Sequence, residues 1–199
     1  MEGSDPSSFL DLWRDITLEP VTYERKSTLR NLLELFLYDL SEYEDEETDV
    51  NECGLYEYEY LDHYWTEPGR YAYFIRVRGR LGGFALIRQV RSEDGTFHIA
   101  MEEFFVMRRY RGKQVGQTAA HRLFQLFPGR WRIAEMRRDL SAQQFWRKII
   151  ARYTGGHYAE AEDPDWNGPI QEFWTIPITK ESITGCPMQA ENSPAWNEG

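Results

Sequence analysis

Residues 96–127 constrain the fold more than any other stretch. "TFHIAMEEFFVM" (96–107) reads as a long, mostly apolar strand. It runs through the cationic turn "RRYRGK" into "QVGQTAAHRLFQLF" (114–127). There Val115, Ala119 and Leu123, with Ala120, Phe124 and Phe127 beside them, follow the spacing of one buried helical stripe. "FPGR" closes that helix. A strand, a short glycine-bearing turn and a helix in this order commit the chain to a helix packed on a sheet.

The remaining elements fit around this unit. "ITLEPVTY" (16–23) reads as a short strand and residues 24–43 as an amphipathic helix, with Leu29, Leu32, Leu33, Phe36, Leu37 and Leu40 on one face. Residues 70–80 and 81–91 read as a hairpin turned near Gly79 to Gly83, and "SEDG" (92–95) as a second turn. Then come a strand at 131–136, a helix at 141–153 and a closing strand at 171–177. Strands grouped first and alternating with helices later predict an α/β fold on a mixed, mostly antiparallel central sheet flanked by helices. We expect an N-terminal extension over 1–15, one domain over 16–178 and a C-terminal tail over 179–199 without periodicity.

The net charge of -10 conceals two opposed blocks. Thirteen acidic residues and no Lys or Arg lie between Asn31 and Gly69, whereas 12 bases face only Glu135 and Asp139 between Arg108 and Arg152. Such blocks serve either two unlike ligands or the solvation of two helical faces. An acidic pI near 5.0 disfavours nucleic acid as a partner. No apolar run is long enough for a transmembrane helix, and the N-terminus lacks the features of a secretion signal. Cys53 and Cys186 suggest neither disulfide framework nor metal site, and the four histidines lack metal-ligand spacing. A cytoplasmic protein without a metal is the expectation.

The turn itself has a definite chemistry. A helix entrance offers backbone N–H groups without intrahelical partners and the positive end of the dipole, so a phosphate supplies what is missing. Glycine lets a ligand approach the backbone, and Arg111 and Lys113 add charge. A plain basic linker explains the same residues equally well. Neither G-x-x-x-x-G-K-[ST] nor G-x-G-x-x-G occurs, which removes the nucleoside triphosphatase loop and the dinucleotide fingerprint.

"FFVMRRYRGKQVGQTAA" resembles the cofactor motif of the GNAT superfamily of acyl-CoA-dependent N-acetyltransferases, in which [QR]-x-x-G-x-[GA] opens a helix after a strand. Arg111, Gly112, Lys113, Gln114, Val115 and Gly116 occupy that hexad, with Gln114 where glycine is usual. "RRDLSAQQFWRK" is similar to the later family helix, although Asp139 replaces asparagine and Trp146 replaces the tyrosine that often protonates the leaving thiolate. Tyr153 is the nearest tyrosine in sequence. The resemblance implies acetyl-CoA as cosubstrate. The backbones of Phe104, Phe105 and Val106 would pair with its pantetheine arm, and amides from Gly112 to Gln117 would hold its pyrophosphate. It also assigns the Val106 amide to the oxyanion.

Strand alternation sets His98, Ala100, Glu102, Phe104 and Val106 against Ile99, Met101, Glu103, Phe105 and Met107, with a bulge able to scramble this near the end. "EEFFVMRRYRG" resembles a run in diamine N-acetyltransferases, which makes Glu102 the candidate base and Glu103 a candidate amine-binding group. Pairing of these carboxylates with Arg76, Arg78 or Arg88 is the competing role. The acidic block, with interleaved Tyr56, Tyr58, Tyr60 and Tyr64, suits an ammonium group by charge and by cation–π contact. Tyr60 is therefore a candidate substrate contact. The expected function is acetyl transfer to a primary amine: a cationic small molecule, a polyamine-like molecule or a lysine. A catalytically weak acyl-CoA-binding module is the alternative, and a homodimer is left open.

Overall fold

The structure, a computed structural model, describes residues 14–43, 49–92, 95–161, 163 and 166–175. Most of the expected N-terminal extension, the acidic run at 44–48, part of the "SEDG" turn and the whole 179–199 tail lie outside the described residues. Among the described residues, seven strands form one sheet: β1 (Ile16–Pro20), β2 (Arg70–Val77), β3 (Arg80–Arg91), β4 (Phe97–Val106), β5 (Gly129–Ala134), β6 (Ala159–Ala161) and β7 (Ile170–Thr175). Their order is β1-β2-β3-β4-β5-β7-β6, and β4–β5 is the parallel pair among antiparallel neighbours. Among the described residues, four complete α-helices flank the sheet: α1 (Lys26–Leu40), α2 (His63–Thr66), α3 (Val115–Leu126) and α4 (Leu140–Thr154). A 3-10 turn, Tyr23–Arg25, takes the start of the helix expected from residue 24.

Each sheet face buries one apolar layer. On one side Leu29, Leu32 and Leu33 of α1 and Tyr64 of α2 pack against Ala72, Phe74, Phe84, Leu86 and Phe105. On the other, Ala120, Leu123 and Phe124 of α3 and Trp146, Ile149 and Ile150 of α4 cover Tyr73, Ile87, Met101, Trp131 and Phe173. The helical stripes expected from sequence face inward, with Phe36 and Leu40 only half-buried at the ends that line the cavity described below. β6 has no such signal, because its three residues "AEA" are largely exposed and carry no alternation.

Two irregularities of β4 position the site. Its ladder to β3 shifts between Leu86↔Glu103 and Ile87↔Met101, so Glu102 is the extra, bulged residue. Its pairing with β5 contains only Ile99↔Trp131 and Ala100↔Arg132. Beyond Ala100 the two strands separate, and β4 turns one backbone edge toward the opening while β3 holds the other.

Candidate active site

At the open end of β4, a cavity of about 480 Å³ lies between α1, the turn after β4 and α4. Phe104, Phe105 and Val106 form its strand wall, and Arg111, Gly112, Gln114, Gly116 and Gln117 its helix-entrance wall. The turn is built by two left-handed residues, Gly112 (φ 71°) and Gln114 (φ 60°, ψ 3°). The first α3 bond runs from Thr118 N–H to Gln114 C=O (2.9 Å), and Gln114 makes no side-chain cap. The amides of Val115, Gly116 and Gln117 therefore have no carbonyl one turn back to receive them. Gly116 also sets the width of the space, since a Cβ there would stand 3.0 Å from the Phe145 ring.

Among the described residues, one carboxylate of the acidic block ties the basic turn to it. Asp39 of α1 accepts from Arg108 Nη2 and Arg111 Nη2, both at 2.6 Å. Burial works against the charge on Asp39, but the two guanidinium bonds outweigh it and hold the carboxyl below its ordinary range. Arg111 Nε also donates to the Val106 carbonyl (2.7 Å), and its guanidinium lies 5.6 Å from the Phe105 ring centroid. Arg111 thus braces the strand end against α1. Lys113 lies outside the cavity wall, with Nζ donating to Arg109 C=O (3.0 Å), and Val115 points into the core.

Glu102 and Glu103 lie elsewhere, and the bulge changes their relation. Met101 and Phe104 pack on the α4 side of the sheet, and Phe105 packs on the α1 side. With the bulge taking up the odd residue, both carboxylates fall on the α1 side, where strict alternation expects them on opposite faces. Burial first, then Glu103, pushes the Tyr58 phenol upward; for Tyr64 it is burial, then Glu102 and Glu103. Of the arginines weighed as partners, Arg88 reaches Glu102 at 3.9 Å, whereas Arg76 pairs with Glu19 and Arg78 with Asp15. Tyr60 is exposed and packs edge-on to Tyr58 (6.5 Å) and against His63 (5.7 Å).

The histidine and aromatic candidates resolve into packing roles. His98 is buried beside Ser92 Oγ (3.3 Å); burial first, then Arg132 and Arg130, lower its pKa. Trp146 is buried and packs edge-on to Phe104 (5.1 Å). Tyr153 packs on His121 and Phe124 and lines a different cavity, on the β7 side. Sequence reasoning missed Asp39 and the α4 stripe of Ser141, Phe145, Lys148 and Arg152 that lines the cavity. The signal for the stripe was present, as polar and apolar residues three and four apart on one helix. No signal marked Asp39 among thirteen acids.

Among the described residues, no group of three or more His, Cys, Asp or Glu could hold a metal ion. None of the described helices is long and apolar enough to cross a membrane.

A family model described as the acetyltransferase (GNAT) family matches residues 32–150. The chain belongs to the GNAT family. No curated protein sequence matches it. Among solved structures it is similar to an acetyltransferase from Thermus thermophilus, at 14% identity and TM-score 0.59, covering 80% of this chain and 96% of that one. RimL, a ribosomal L7/L12 α-N-protein acetyltransferase solved with coenzyme A, matches at 12% identity and TM-score 0.56, over 80% and 94% of the two chains. Arabidopsis thaliana Naa50, solved with the bisubstrate analogue CoA-Ac-MVNAL, matches at 12% identity and TM-score 0.52, over 80% and 98%. These likenesses establish the GNAT fold. Membership makes this GNAT protein an acetyl-CoA-dependent acyltransferase.

Proposed function

We propose that the protein acetylates a cationic primary amine by direct attack in a ternary complex. The observation that carries this reading is the β4 bulge, which sets Glu102 and Glu103 side by side near Tyr58 and Tyr64 on the strand whose far end lines the cavity. In this reading the backbone edge of β4 over Phe104, Phe105 and Val106, which β5 leaves unpaired, pairs with the pantetheine arm. The entrance amides from Gly112 to Gln117 hold the diphosphate. Lys113 adds charge from outside, and Arg111 acts through its brace on Val106.

Acetyl-CoA supplies a thioester carbonyl whose C–S bond breaks as the amine nitrogen bonds to carbon. The Val106 N–H stabilises the negative oxygen formed on the way. Glu102 lies four residues back along β4, beyond direct reach of a carbonyl held at Val106, so it takes the amine proton through a chain of waters. Glu103 and the Tyr60 ring attract the ammonium form. Trp146 has no ionisable hydroxyl to act as an acid, so solvent protonates the thiolate and takes the second proton that the acylated nitrogen sheds. RimL acts on a protein α-amine, as its name states, which fits an amine acceptor and adds protein N-termini to polyamine-like molecules and lysine as acceptor classes. The local likeness to diamine N-acetyltransferases at "EEFFVMRRYRG" favours the polyamine-like class.

The test is thiol release over an amine panel. Glu102→Gln should lower turnover at pH 7 by about 100-fold, and by less at high pH where free amine is plentiful. A wild-type pH profile in the variant would remove Glu102 from the mechanism. CoA binding without turnover on any amine would favour the acyl-CoA-binding module instead.

A further inference from the structure

The cavity continues past the glycine turn along α4, where Phe145, Lys148, Ile149 and Arg152 line it. These residues stand at positions i, i+3, i+4 and i+7, and so form a single helical stripe. The two apolar members lie beside the two cationic ones, and both cations are exposed. Arg152 is held in place, since its Nη1 donates to Gln117 Oε1 at 2.6 Å, in the first turn of α3. Among the described residues neither Lys148 nor Arg152 forms an ion pair. The other two cations of the wall, Arg108 and Arg111, are both engaged by Asp39. At the opposite end of α4, Asp139 caps the helix by accepting from Ala142 N–H (2.8 Å).

This cationic pair stands on a different helix from the entrance amides that would hold a diphosphate, and so offers an anion a second place to rest. Mid-helix backbone has no free amide to offer, so an anion resting on α4 must be held by side-chain charge alone. A phosphate monoester, dianionic near neutral pH, fits a lysine point charge next to an arginine fork. Coenzyme A carries such a monoester on the ribose, one sugar away from its diphosphate. We propose that Lys148 and Arg152 form a subsite for the 3′-phosphate of the adenosine moiety, by which the protein distinguishes CoA from 3′-dephospho-CoA. The inference rests on the proposed seating of the diphosphate at the α3 entrance.

Calorimetric titration of the full chain with CoA and with 3′-dephospho-CoA separates the two readings. At low salt the wild type binds CoA about tenfold tighter than the dephospho compound, and added salt narrows the gap. In the Lys148→Ala, Arg152→Ala double variant the ratio falls to about twofold or less through loss of CoA affinity, while 3′-dephospho-CoA binds as before. Lys148→Arg keeps most of the preference. Equal binding of both compounds by the wild type would overturn the subsite. So would equal weakening of both in the double variant, which would assign the cations to the diphosphate. Absence of binding by either compound would overturn the seating of the cosubstrate, and the subsite with it.

Discussion

Gln114 and Glu135 hold conformations and charges that cost the fold. Gln114 sits at φ 60° and ψ 3°, where an L side chain costs about 1 kcal/mol and glycine costs little. This is the motif position at which glycine is usual, so the departure visible in the sequence has a conformational price. Glu135 is buried just beyond β5, and neither carboxylate oxygen has a well-formed hydrogen bond among the described residues. Burial raises its carboxyl to about 8, with the Gln171 amide and Arg147 pulling the other way. A folded-state pKa raised above the unfolded value means a contribution intact below about 4.5 and lost as pH climbs toward 8. Glu135→Gln removes that titration while keeping the shape. Its thermal stability should match the wild type near pH 4.5 and exceed it at pH 8 by on the order of 3 kcal/mol. Unfolding curves that stay parallel across this range would show that Glu135 ionises freely in the folded protein.

The β3–β4 pair decides where both ends of the reacting strand lie. At Gly83 a Cβ would stand 1.9 Å from the Phe105 carbonyl oxygen, beside the pairing of Gly83 with Val106. Gly83→Ala must push β3 away from β4 at Val106, the residue whose amide we propose for the oxyanion. We expect a loss of about 3 kcal/mol in urea unfolding and a fall in turnover larger than unfolding explains. Gly79 in the same hairpin is the control: its Cβ direction is open, and at φ 74° alanine should cost about 1 kcal/mol and leave turnover alone. Equal kinetics in the two variants would detach the strand geometry from catalysis. The strands and helices here were legible because their apolar residues keep periods of two or of three and four. The bulge was not, since "AMEEFFV" fits unbroken alternation equally well and the extra residue is set by pairing with β3. The helix-entrance residues were legible as a local motif, whereas Asp39 reaches Arg108 and Arg111 across 69 and 72 residues of sequence.

As a whole, the molecule is a sheet split along one seam. β1 to β4 and β5 to β7 are each continuously paired, and the halves meet through only two register pairs, Ile99↔Trp131 and Ala100↔Arg132. The opposed charge blocks of the sequence meet at the mouth of that seam, where α1 carries Asp39 and the turn carries Arg108 and Arg111. A cosubstrate bonded to the open edge of β4 and to the α3 entrance would join elements that the chain itself leaves apart. Binding should therefore stabilise the folded state beyond local ordering of a loop. At 100 times its Kd, coenzyme A adds about 2.7 kcal/mol, which for a chain of this size is a rise in Tm of about 5–10 °C. Amide hydrogen exchange should slow at residues 101–106 and 112–117 together, because in the proposed seating strand edge and helix entrance engage one ligand. Slowing confined to 112–117 would mean that the diphosphate binds while the seam stays open, and the pantetheine path along β4 would have to be abandoned.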